Sequence, residues 1–120
     1  MKRAAALLLA AAIVFAQSIS GAYKGTWSGG NGGGDFHLTV KSPTNAEVGF
    51  TLEGQEVPCK ITSLKIDGSS IEMVYEFDLQ GNKLQSAVKG TLQGKTLGGT
   101  YKTTAGDSQV DEGTWKTVSQ

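Results

Sequence analysis

The chain holds one cysteine, Cys59, one histidine, His37, one arginine, Arg3, and two prolines among its 120 residues. Each scarcity excludes something. A single cysteine cannot form an intramolecular disulfide, so a small exported domain must here be held by packing alone. A leftover cysteine can be a reactive thiol or an intermolecular link. Val57, Cys59 and Ile61 share one parity, which places the thiol among buried side chains, where cysteine behaves as a small inert hydrophobe. With arginine confined to position 3, the rest of the chain lacks the planar, bidentate recognition of phosphate that arginine supplies. No basic stripe replaces it, so nucleic acid is not an expected partner. One histidine and one inward cysteine cannot assemble a zinc site from the usual nitrogen and sulfur ligands. His37 alternates with Phe36 and Leu38, so it faces water, and it reads as a surface residue without a chemical role.

Long apolar runs are also missing, except at the start. Residues 1–16, MKRAAALLLAAAIVFA, open with Lys2 and Arg3 and continue into an apolar stretch ending in Val14-Phe15-Ala16. That is the layout of a secretory signal peptide, with cleavage after Ala16 or as late as Ser20. The run is shorter than the roughly 20 residues a membrane helix needs. Residues 17–120 then form one domain, expected to be soluble in the periplasm or outside the cell. Without the signal, nine basic residues face eleven acidic ones, a net charge of −2.

No helical period occurs in that domain; alternation does. Phe36, Leu38 and Val40 alternate with polar neighbours, as do Ala46, Val48, Phe50 and Leu52, and Ile71, Met73, Tyr75, Phe77 and Leu79. Each set reads as a strand with one buried and one wet face. Turn signals between them give about eight strands, near 22–29, 34–42, 45–53, 56–66, 70–79, 83–93, 96–104 and 109–118. The pattern predicts an all-β, antiparallel up-and-down meander in a closed or nearly closed barrel, with a β-sandwich as the alternative. Within the fourth span the parity slips between Ile61 and Leu64, and Pro58 demands an edge or a bulge.

Gly-Thr followed by a large residue occurs four times: Gly25-Thr26-Trp27, Gly90-Thr91-Leu92, Gly99-Thr100-Tyr101 and Gly113-Thr114-Trp115. Residues two apart share a strand face, so each glycine points inward with its ring or aliphatic partner while threonine faces water. Inward glycines let strands coil and leave room for neighbouring rings. One copy lies in the first strand and three in the last three, so the repeat predicts closure between the two chain ends, with Trp27 and Trp115 side by side.

The Gly-x-Trp of the first strand, together with the late Gly98-Gly99-Thr100-Tyr101 and the closing Gly113-Thr114-Trp115, resembles the calycin group, lipocalins and avidins among them. The resemblance implies a small secreted barrel that binds a small molecule. It covers only these short motifs. A lipocalin-like last-strand arginine is missing, and Lys116 points away from Trp115 by parity; 28–114 contains none of the tryptophans that box an avidin ligand. The architecture carries over, and no ligand residue does.

The glycine stretch 29–35, GGNGGGD, comes close to the calcium repeat G-G-x-G-x-D, but Gly34 occupies the aspartate position and such repeats act in stacked arrays. It also lacks the spacing and the following helix of a phosphate loop. It reads as a flexible hairpin loop at a barrel mouth, with a lid as the lesser alternative. Glu72, Glu76 and Asp78 read as a solvated strand face or, less favourably, a weak cation site. Asp111 and Glu112 point to opposite faces and make no pair. No nucleophile–base pair is present, so the expectation is a non-enzyme without metal or cofactor. It would hold a small apolar molecule at the barrel interior or mouth, with Trp27, Phe50, Tyr75, Tyr101 and Trp115 as candidate lining. The competing expectation is a protein-interaction module, an inhibitor or envelope component, with a filled core.

Overall fold

A computed structural model describes residues 18–120; the expected signal segment, 1–16, lies outside the described residues. Nine antiparallel strands follow one another: β1 Gly21–Gly29, β2 Gly32–Ser42, β3 Asn45–Leu52, β4 Gln55–Pro58, β5 Lys60–Asp67, β6 Ser70–Leu79, β7 Asn82–Gln93, β8 Thr96–Ala105 and β9 Ser108–Ser119. They form one sheet in the order β4-β3-β2-β1-β9-β8-β7-β6-β5. The sheet curls strongly into a half-barrel whose middle is the junction of the first and last strands. Among the described residues there is no helix long and apolar enough to cross a membrane.

The sequence suggests eight strands and the structure has nine, because the fourth breaks at Cys59. Its first half, β4, pairs with β3 through Gly49 to Leu52; its second half, β5, pairs with β6. Pro58 ends β4, where its missing N–H leaves no gap inside the sheet. The register shift between Ile61 and Ser63 accounts for the parity slip visible in the sequence. The two halves are the free edges of the sheet, and Pro58, Lys60 and Lys65 on them discourage pairing with another chain.

Every hairpin is closed by a two-residue turn. At Glu53-Gly54 and Gln80-Gly81 both central residues have positive φ (53° and 80°, 52° and 83°), the type I′ geometry that matches the twist of the flanking strands. Four turns, at 30–31, 53–54, 80–81 and 106–107, gather at one end of the half-barrel. At the opposite end aliphatic side chains fill the interior: Leu38, Val40, Ile71, Met73, Leu92 and Leu97 are buried, and Ile19 joins them from the segment before β1.

The predicted closure is present in register. Trp115 lies directly opposite Trp27, and the line continues to Gly34 on β2 at one side and to Gly99 and Gly90 on β8 and β7 at the other. Each indole lies over a glycine. A Cβ on Gly90 would overlap the Trp115 ring, and one on Gly34 would meet the Trp27 nitrogen. The Trp27 N–H donates to the Thr51 carbonyl on β3 at 2.9 Å and the Trp115 N–H to the Lys89 carbonyl on β7 at 3.1 Å. Thus each ring spans two strands, on opposite sides of the joint. The four Gly-Thr repeats sit on four adjacent strands, β1, β9, β8 and β7, with every threonine exposed. At Gly113, however, the crowding neighbour is not a ring: a Cβ there would overlap the Ser28 carbonyl oxygen of β1. Glycine at that position serves close backbone approach.

Trp115 retains only 3 % of its surface and packs at 5.1 Å from the Phe36 ring. Trp115→Ala is therefore expected to cost about 3–5 kcal/mol, as large-to-small core changes do. Gly113→Val should be comparably harmful through the backbone overlap, and Thr114→Ser on the wet face should stay within about 0.5 kcal/mol. Urea unfolding midpoints at constant slope measure all three; an unchanged midpoint for Trp115→Ala would remove the ring from the core.

Candidate functional site

The turn-bearing end of the half-barrel holds a cavity of about 600 Å³. Its wall is aromatic because alternation sends one or two rings inward from each of six strands: Trp27, Phe36, Phe50, Tyr75 and Phe77, Tyr101, and Trp115. All five side chains singled out from the sequence therefore converge on one cavity, from β1, β3, β6, β8 and β9. Phe36 and Phe77, which belong to the same inward sets, complete it. The rings tile the wall edge to face: Trp27–Phe50 at 5.8 Å, Trp27–Tyr101 at 6.1 Å and Phe50–Phe77 at 5.0 Å, all near perpendicular. Phe50, Phe77 and Tyr101 keep just 7 % to 8 % of their surface exposed. Trp27 is only half-buried, the most open of the set. The cavity is an aromatic cup above a filled aliphatic floor.

Sequence reasoning missed the polar side chains of the cup. Ser86 and Thr103 are buried and joined by a 2.6 Å hydrogen bond; Tyr75 stands opposite Ser86 on the neighbouring strand. The Tyr101 hydroxyl donates to Asp111 Oδ2 at 2.8 Å, and the Gly30 amide donates to Asp111 Oδ1 at 3.0 Å. The signal for these residues was parity: Ser86 is two before Val88, Thr103 two after Tyr101, and Asp111 four before Trp115. A register shift between Gln109 and Asp111 leaves Val110 exposed at the rim beside it.

Burial pushes the Tyr75 and Tyr101 hydroxyls up from their ordinary value, and for Tyr101 the hydrogen bond to Asp111 adds to that. A buried phenol resists ionisation because the anion loses its hydration.

The glycine stretch 29–35 is not a flexible loop. Its turn is the two residues Gly30-Asn31, tied to β9 by the Gly30 amide and by Asn31 Nδ2, which donates to the Val110 carbonyl at 2.8 Å. His37 does face outward, but it has a partner: Nε2 lies 2.6 Å from Glu56 Oε2, and the two cross over Gly49 to link β2 with the edge strand β4. Both are well exposed, and the pair lies on the outer surface, away from the cup. Cys59 is half-buried rather than enclosed, packed beside the core at the β4–β5 break. Glu76 meets Lys83 at 3.7 Å on the outer face. Among the described residues no three His, Cys, Asp or Glu side chains converge as metal ligands.

Compared with protein-family models, curated proteins and solved structures, the chain matches none of them.

Two measurements test this geometry. Asp111→Ala should release the Gly30-Asn31 turn, raising amide hydrogen exchange at Gly30 while leaving the Trp115 region protected; equal protection at Gly30 would show that the carboxylate does not hold it. For Cys59, burial, with the Glu56 carboxylate adding, pushes the thiol from 9.0 up to about 12. The folded state binds that proton more tightly, so its contribution is full below about pH 9 and lost as pH rises toward 12. Urea midpoints should begin to fall near pH 9, and that early part of the fall should be absent in Cys59→Ala. Alkylation of the native thiol at pH 8 should be much slower than in urea.

Proposed function

We propose that this protein is an exported, non-enzymatic binding protein of calycin-like architecture that holds a small, mostly apolar molecule in the aromatic cup. The observation that carries this reading is the convergence of Trp27, Phe36, Phe50, Tyr75, Phe77, Tyr101 and Trp115 on one cavity of about 600 Å³. Small-molecule sites fall in the range of roughly 300–1,000 Å³, apolar with a few placed polar groups. The half-barrel, with its first and last strands paired, supports the calycin resemblance at the level of architecture. The non-enzymatic reading rests on the polar groups of the cup: Ser86 is bonded to the Thr103 hydroxyl and not to a base, and Asp111 already accepts two hydrogen bonds. Export rests on the N-terminal segment. Ile19 packs in the core at 4 % exposure, which favours cleavage after Ala16, since a cut after Ser20 would remove it.

The test is tryptophan fluorescence against a panel of neutral aromatic and aliphatic molecules. Saturable changes are expected for ligands the size of one or two fused rings, and Leu84→Trp, which puts bulk into the cup from its wall, should weaken them at least about tenfold. A flat response across the panel sinks the ligand reading and leaves the interaction module.

A further inference from the structure

The wall of the cup carries a line of hydroxyls in strict cross-strand order. Tyr75 on β6 lies opposite Ser86 on β7, Ser86 opposite Thr103 on β8, and Thr103 opposite Asp111 on β9. Tyr75, Ser86 and Thr103 retain 4 %, 2 % and 6 % of their surface and all line the cavity. They are shut off from bulk water yet border the cup. The neighbouring levels of the same face are mostly apolar: Met73 and Val88 lie one level deeper, beside Tyr101, whose hydroxyl turns to Asp111, and Phe77 and Leu84 lie one level nearer the mouth.

The row has hydrogen-bonding capacity to spare. Three hydroxyls hold three protons and several lone pairs. The Ser86–Thr103 bond uses one of those protons, and Tyr75, opposite Ser86 on the neighbouring strand, engages one more at most. At least one donor and open acceptor positions therefore remain in the row, which lines the cup. Such a row matches an oxygen that can both accept and donate, or only accept. It suits an anion less well: Asp111 stands at its end, and Lys83, a cation of the cavity wall, lies at the mouth, 3.7 Å from Glu76.

Resting on the reading of the cup as a ligand site, we propose that Tyr75, Ser86 and Thr103 form its polar specificity element, selecting neutral apolar molecules with one hydroxyl or carbonyl oxygen. The ligand body packs among Trp27, Phe50 and Phe77, and its oxygen docks on the row. Losing a partner for a buried polar group is what gives such a site its discrimination.

The experiment uses two probes of nearly equal shape, 2-naphthol and 2-methylnaphthalene, titrated into the full chain while following the two indole N–H resonances by NMR. Wild type is expected to bind 2-naphthol about fivefold or more tightly than 2-methylnaphthalene. Thr103→Val and Ser86→Ala should each bring 2-naphthol down to the level of 2-methylnaphthalene, whose own affinity stays unchanged. If one variant fails to fold, as lost indole dispersion would show, the other decides. Equal or reversed preference in wild type, or a gap that survives the substitutions, overturns the assignment of the row while leaving the cup in place. If neither probe moves the indole resonances, the cup reading fails and the row falls with it.

Discussion

The joint between the first and last strands carries the rest of this fold. A meander of short hairpins brings each strand against its neighbour by local turns, but nothing local brings residue 27 to residue 115. The joint closes the longest loops among the described residues, and no disulfide shares that cost. The indoles meet the cost from both sides: Trp27 and Trp115 stand opposite each other, and each reaches two strands outward to donate to a main-chain carbonyl. Aromatic side chains bury large areas with a polar handle that must be satisfied, and here the handle does the bridging. Glycines make it possible, because Gly34 and Gly90 leave the space that the rings occupy.

Closing the sheet at the chain ends places its free edges in the middle of the sequence. The edges are β4 and β5, two halves of one predicted strand that peel apart at Cys59 and pair with different neighbours. The curled sheet is therefore continuous along the side that carries β1, β9, β8, β7 and β6, and open at the edges where Pro58 and the lysines guard it. The cup takes its most regular wall, including the hydroxyl row, from the continuous side. This follows the general rule that a site is held best on paired elements rather than on loops. Its rim is held as well, since the Gly30-Asn31 turn is tied to β9 through Asp111 and Val110.

Much of this was legible in the sequence, for a physical reason. Alternation of period two reports which side chain faces the core, so the inward sets of β2, β3 and β6, the Gly-Thr repeats, and the five converging aromatics could all be read. Parity is silent on depth, and so it could not separate the aliphatic floor from the aromatic cup. It also could not show that a glycine faces a neighbour's backbone rather than a ring, as Gly113 does. The turn at Gly30-Asn31 was misread because glycine content suggests flexibility, whereas the tethers to Asp111 and Val110 come from residues about 80 positions away. The partner of His37 is hidden from parity for the same reason: Glu56 reaches it across an intervening strand, over Gly49.

The polar side chains of the cup show where composition-based reasoning fails most instructively. An inward serine or threonine in a strand is easily passed over as a small core residue, and an inward aspartate as a turn flank. Register changes their meaning. Tyr75, Ser86, Thr103 and Asp111 belong to four strands and are separated by 11, 17 and 8 positions along the chain, yet the pairing sets them in one line. A buried hydroxyl costs free energy unless it is bonded, so isolated inward hydroxyls would be a defect. In a row neighbouring hydroxyls satisfy one another, as Ser86 and Thr103 do, and the row borders the cavity at the turn-bearing end. The same pairing that makes the polar groups tolerable in the wall is what aims them at the cup.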